Sequence, residues 1–181
     1  LRFPFATSFN DIVDLQNRPE MVEDVQDRLL GLLRENKVGV NTTEVAEAVA
    51  ELVDNFVQHA EEGLAAMMVQ WYPNKKEVRI AVGDCGVGIK NSLVNSGRYA
   101  YLADVRHEQA IAEAFNVKVT RKHEGGVGFE FVRDTVERND AEMFISSFDG
   151  AVYVKGGKMY LLSVPHSLAG VQVELCFPQR R

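Results

Sequence analysis

Three short stretches hold the residues able to do chemistry. Glu51, Asn55 and His59 recur at i, i+4 spacing within Glu51-Leu52-Val53-Asp54-Asn55-Phe56-Val57-Gln58-His59. On a helix each step of four drifts by roughly 40°, so a carboxylate, an amide and an imidazole project from one flank beside the apolar face. Asp84-Cys85-Gly86-Val87-Gly88 puts a carboxylate and two glycines where an alternating apolar run ends. A carboxylate buried there needs a partner, and an exocyclic amine such as that of adenine fits. Lacking Cβ atoms, Gly86 and Gly88 would let a planar base approach the backbone. Gly125-Gly126-Val127-Gly128 opens a helical pattern, and exposed N–H groups at a helix start form a phosphate site. Each stretch alone has a plainer meaning: solvated helix residues, an Asp-Gly turn, a loop cap. Their order along one chain raises all three readings together. The dinucleotide fingerprint and the Gly-Lys-Ser/Thr phosphate loop are both missing.

The elements that must position these residues follow from periodicity. Pro19 suits a first helical turn, and Met21, Val22, Val25, Leu29, Leu32 and Leu33 keep helical spacing up to Gly39. Asn41, Thr42 and Thr43 offer caps for a second helix to about Glu61, with Val45, Val49, Leu52, Val53, Phe56 and Ala60 on its apolar face. Met67, Val69 and Trp71 alternate, Pro73-Asn74-Lys75-Lys76 turns, and Val78, Ile80 and Val82 alternate again, which predicts a hairpin. Residues 89–124 hold one short helical stretch, Glu108 to Phe115, in a connection long enough to suggest a lid. A helix over Val127–Arg138 precedes four predicted strands, Met143–Ser147, Ala151–Lys155, Lys158–Val164 and Val171–Phe177. The class is α+β: a two-layer sandwich whose mixed, mostly antiparallel sheet is covered on one face by helices.

Composition narrows the function classes. The 181 residues suffice for one domain with a sizeable core, and 46% apolar with 25% charged residues is an ordinary globular balance. A net charge of −6 argues against a nucleic-acid or anionic-membrane surface. No apolar run is long enough to span a bilayer and no signal-peptide pattern appears, so a cytoplasmic location is expected. Cys85 and Cys176 give no disulfide framework. The chain begins at Leu1, as a fragment of a longer protein would. His107, His123 and His166 lack metal-ligand spacing and read as surface or loop residues; Arg121 and Lys122 read equally as phosphate contacts or solvated charges.

A helix bearing Glu and Asn, a strand ending in Asp-x-Gly-x-Gly, a long loop and a glycine-rich helix start, in that order, resemble the GHKL ATPases. That group holds gyrase-type topoisomerases, heat-shock chaperones of the same fold, mismatch-repair ATPases, histidine kinases and anti-sigma-factor serine kinases. Glu51-x-x-x-Asn55-x-x-x-His59 is most similar to the serine kinase branch. The resemblance covers roughly residues 41–178 and implies an ATP-binding domain of Bergerat type over 41–181, with 1–40 a lead-in segment of unassigned role. It implies Glu51 as general base, Asn55 as Mg²⁺ ligand and Asp84 as the adenine-reading carboxylate. Gly86 and Gly88 would line the base, and Gly126 and Gly128 would close on the phosphates behind the lid, with ATP and Mg²⁺ as cofactors. His59 suits a contact to Asn55 or the metal, or an ordinary place at a helix end.

Two departures stand out. Glu130 replaces a further glycine of the family pattern, and Gly170-Val171 replaces Gly-Thr, which implies fewer helpers for Asp84. The implied function is a protein serine/threonine kinase or slow ATPase of the anti-sigma-factor regulatory type. It needs a separate protein phosphoacceptor and is compatible with a homodimer. The alternative is a nucleotide-gated interaction switch with little or no catalysis. A histidine kinase fits less well, because its two-helix dimerisation segment with a substrate histidine is not visible.

Overall fold

The computed structural model describes residues 13–14, 20–59, 65–115 and 128–179. The chain opens with a short strand, β1 (Val13–Asp14), then α1 (Glu20–Glu35) and α2 (Thr42–His59). Leu29, Leu32 and Leu33 of α1 are buried, and the helix packs on α2 in a shared core. Of the three cap candidates Asn41 takes the role: its Oδ1 accepts the Glu44 N–H at 3.3 Å. The predicted face Val45, Val49, Leu52, Val53 and Phe56 is buried throughout; Ala60 lies outside the described residues.

The hairpin forms as its alternation predicts, with β2 (Ala65–Tyr72) paired to β3 (Glu77–Asp84) from Ala65↔Asp84 to Tyr72↔Glu77. Val78, Ile80 and Val82 are buried, and Asp84 is the next member of that same inward row. Strand order is β1-β2-β3-β5-β4, where β4 is Glu142–Lys155 and β5 is Lys158–Pro178. Every pairing among the described residues is antiparallel, with none of the parallel component that a mixed sheet would show. The helices gather on the face carrying Met67, Ile80, Met143 and Leu175.

Two expectations change. Residues 89–115 are no open lid: α3 (Ile89–Asn95), a 3-10 helix (Ala100–Asp104) and α4 (His107–Ala114) occupy them. Ile89, Leu93, Leu102, Ile111 and Phe115 are buried and hold this stretch against the body. Helix α4 is the short helical stretch predicted over Glu108 to Phe115, whereas α3 and the 3-10 helix are too short for periodicity to reveal. The rest of the expected lid, 116–127, lies outside the described residues.

The four predicted C-terminal strands are two long ones. Gly156-Gly157 is a true turn, with φ +56° and +70°, but Asp149-Gly150 and Ala169-Gly170 are irregularities within strands. The β4–β5 register shifts between Ser146 and Phe148 and again between Phe148 and Gly150, and Phe148 itself has φ +56°. Helix α5 is described over Gly128–Arg138, and Val127, where its pattern begins, lies outside the described residues.

Leu52 lies at the centre of the α2 face and is fully buried. Leu52→Ala is expected to destabilise the fold by about 2–5 kcal/mol in denaturant unfolding, through lost transfer energy plus a cavity.

Candidate functional site

Asp84 is the last residue of β3 and is only 5% exposed. The inward row of a strand normally carries apolar groups, so its final carboxylate is desolvated. Burial therefore raises the Asp84 carboxyl above its ordinary value, and two backbone N–H groups oppose the shift. One is Gly86, donating to Oδ1 at 2.6 Å, and the other is Val171. The hydroxyl that Val171 lacks is thus replaced in part by its own main chain.

The walls around Asp84 leave no room for substitution. At Gly170 (φ +81°) a Cβ would sit 2.2 Å from the Asp84 carbonyl oxygen and 2.5 Å from Oδ1. At Gly88 (φ +75°) a Cβ would sit 2.6 Å from the Phe148 ring and 2.7 Å from Ser147 Oγ. Gly88 is therefore required by the protein's own packing, and the open approach for a base expected there is taken by Phe148. Gly86 differs, because its N–H is committed to the Asp84 carboxylate.

Helices α2 and α5 pack against each other. The Asn41 N–H donates to Asn139 Oδ1 at 3.2 Å, and Arg138 pairs with Glu44, so the end of α5 is tied to the start of α2. At 1.5 Å per residue, Gly128 lies roughly 15 Å along α5 from that tie. Glu51 and Asn55 are both partly buried. Gly128 has φ +32°, and among the described residues nothing lies within 4 Å of where a Cβ would project. Glu130 is exposed, whereas Phe129 turns inward onto Phe115, ring centroids 5.7 Å apart. Gly126, Arg121, Lys122 and His123 lie outside the described residues, as does the side chain of His59. Only residues 60–64 separate α2 from Ala65, the partner of Asp84, so the end of α2 and the carboxylate share one end of the sandwich.

Sequence reasoning missed the part that three residues play here. Ser147 is fully buried; its hydroxyl donates to the Gly170 carbonyl at 2.9 Å and accepts the Ile89 N–H at 3.1 Å. Gln172 donates through Nε2 to the Asp84 and Ala169 carbonyls at 3.2 and 2.9 Å. His107, expected at the surface, heads α4 with its ring 5.0 Å from that of Phe148 and its Nδ1 buried. The available signal was slight: two serines closing an otherwise apolar strand. Among the described residues, no group of three or more His, Cys, Asp or Glu side chains is placed to hold a metal. Both cysteines are free, Cys85 exposed and Cys176 pushed up to about 12 by burial.

No helix among the described residues is long and apolar enough to cross a membrane. No curated protein matches the chain. Residues 40–180 match the histidine kinase-, DNA gyrase B- and HSP90-like ATPase family, a span that takes in α2, the Asp84 strand end, the start of α5 and both C-terminal strands. The protein belongs to that family, and its domain is a GHKL-type ATP-binding domain.

Proposed function

We propose that the chain binds Mg²⁺-ATP at this end of the sandwich and transfers the γ-phosphoryl group, either to a protein serine or threonine or slowly to water. The buried Asp84 carboxylate carries this reading, because the exocyclic amine of adenine supplies the donor that a desolvated acceptor lacks. Gly86 lines the base, and Gly88 holds the loop by admitting Phe148. Gly126 and Gly128 offer main-chain N–H groups to the phosphates at the start of α5. Asn55 holds Mg²⁺ by its side-chain oxygen, and the bound cation spreads the phosphate charge. Glu51, one turn earlier on α2, orients and deprotonates the attacking hydroxyl or water. The spacing of Glu51, Asn55 and His59 favours the anti-sigma-factor type of regulatory kinase, acting on a separate protein.

One observation favours the second reading, a nucleotide-gated interaction switch. Tyr160, Leu161, Leu162 and Leu168 of β5 are 41–59% exposed, an apolar surface of the kind a protein partner covers. A second copy of the chain would use the same chemistry.

Calorimetric titration with a non-hydrolysable ATP analogue tests the site. Binding is expected to tighten with Mg²⁺ and to disappear in Asp84→Asn; no binding at millimolar analogue sinks the proposal. ATP should bind about 10- to 100-fold more tightly than GTP, since guanine presents a keto oxygen to Asp84 and a charged hydrogen bond is worth about 1.5–3 kcal/mol. Equal affinities would remove Asp84 from the role. Glu51→Gln is expected to abolish turnover and retain analogue binding, and full turnover in that variant would exclude Glu51 as the base.

Asp84 also links function to stability. Its folded carboxyl titrates above the unfolded one, so its contribution is fully present below the ordinary carboxylate range and is lost as pH rises through the raised value. At neutral pH the ionised group therefore weakens the ligand-free fold. Asp84→Asn is expected to raise the ligand-free Tm at neutral pH, with the gain vanishing under acid. A lower Tm at neutral pH would contradict this account.

A further inference from the structure

We propose that Ser147 is a positioning residue for the nucleobase, joining the two chain segments that pass against Asp84. This rests on the nucleotide reading above and names a residue that the family-like motifs do not contain.

The first segment is Gly86-Val87-Gly88 running into α3. It supplies the Gly86 N–H to Asp84 Oδ1 at 2.6 Å, and its end is fixed where the Ile89 N–H donates to Ser147 Oγ at 3.1 Å. The second is Ala169-Gly170-Val171 on β5. It passes directly against the same carboxylate, where a Cβ on Gly170 would lie 2.5 Å from Oδ1, and its Gly170 carbonyl accepts the Ser147 hydroxyl at 2.9 Å. A serine hydroxyl has one proton to give and lone pairs to accept with, so this oxygen bonds both segments at once. Ser147 is fully buried, and no bulk water can substitute for it.

The neighbouring serine completes the clasp. Ser146 Oγ donates to Gln172 Oε1 at 3.1 Å, and Gln172 Nε2 reaches the Asp84 carbonyl at 3.2 Å. Adjacent residues of a strand point to opposite faces, so Ser146 and Ser147 hold the two neighbours of Val171 from opposite sides of the sheet. The spacing tolerances are tight. A Cβ at Gly170 would lie 2.5 Å from Asp84 Oδ1, and one at Gly88 would lie 2.7 Å from Ser147 Oγ. A shift of either segment by a few tenths of an ångström therefore reaches the carboxylate that reads the base.

Removing the hydroxyl leaves the Ile89 N–H and the Gly170 carbonyl without this partner in a buried place, and both segments relax. Asp84 then loses its fixed orientation. The effect should fall on recognition of the base and not on the phosphates, which are held at the start of α5.

The test compares wild type, Ser147→Ala and Val154→Ala by calorimetric titration with non-hydrolysable ATP and GTP analogues, alongside thermal unfolding. Val154 is buried on β4 beyond the register shifts and serves as the destabilised control. Ser147→Ala is expected to bind the ATP analogue about tenfold more weakly and to show a narrower ATP-over-GTP preference. Val154→Ala should lose stability with affinity and preference unchanged. If Ser147→Ala does not fold, Ser147→Cys, with a weaker donor of similar size, is expected to show the same narrowing. Wild-type affinity and preference in a folded Ser147 variant would overturn the proposal. So would a loss with the preference intact, or an equal loss in Val154→Ala. Failure of the wild type to bind either analogue would instead overturn the nucleotide reading on which it rests.

Discussion

The burial of one carboxylate organises this structure. Asp84 continues the inward row Val78, Ile80, Val82 by one more step, so the geometry that drives three apolar side chains into the core drives a charge after them. Hydrophobic burial of the row is favourable and local; desolvation of its last member is not. The protein answers by bringing two backbone N–H groups to the carboxylate, one from the loop that follows β3 and one from β5. Both approaches demand glycine. Gly170 gives β5 room against Asp84, and Gly88 gives the loop room against Ser147 and Phe148.

That arrangement explains why the C-terminal strands are irregular where they are. A regular ladder from Lys155 to Glu142 would have left no kink beside Asp84. The register shifts around Phe148, with its φ of +56°, re-aim this part of β4 so that Ser147 and Phe148 meet Gly88. Backbone strain of this kind costs on the order of 1–3 kcal/mol and persists where surrounding contacts fix it. Here they are the Ser147 hydrogen bonds, the Gly88 contact and the His107 ring. The helices contribute a second fixed distance. Helices α2 and α5 are tied by Asn41–Asn139 and Glu44–Arg138, which fixes the end of one helix against the start of the other.

What the sequence made legible follows from which forces are periodic. The α2 face, the β2–β3 hairpin and the inward position of Asp84 all come from apolar spacing, and each appears with bounds within two residues of those predicted. Between residues 89 and 115 α4 was legible as the stretch Glu108 to Phe115, whereas α3 and the 3-10 helix were not, because such short pieces never complete the repeats that mark a helix. The long strands β4 and β5 were cut in two at Asp149-Gly150 and Ala169-Gly170, since glycine signals a turn and a bulge alike. The candidate site was legible in its motifs and not in its supports. Ser147 and Gln172 act through bonds to residues distant in sequence, Ile89 and Asp84, and no local pattern encodes such pairs.

The valine at 171 is best understood from the acceptor capacity of Asp84. An ionised carboxylate has about four lone-pair sites, and the Gly86 and Val171 N–H groups use two of them. A side-chain hydroxyl at 171 would be a third donor within the protein. With valine there, 9% exposed and apolar, that capacity is left to whatever enters the pocket. Burial still outweighs the two N–H bonds, so the carboxyl remains raised and the ligand-free site remains short of donors. A donor arriving on a planar base relieves that shortage, whereas an acceptor aggravates it. On the proposed reading, discrimination between bases would arise from a deficit the fold creates at the end of β3, with the two glycines and the buried serine keeping the deficit pointed at one place.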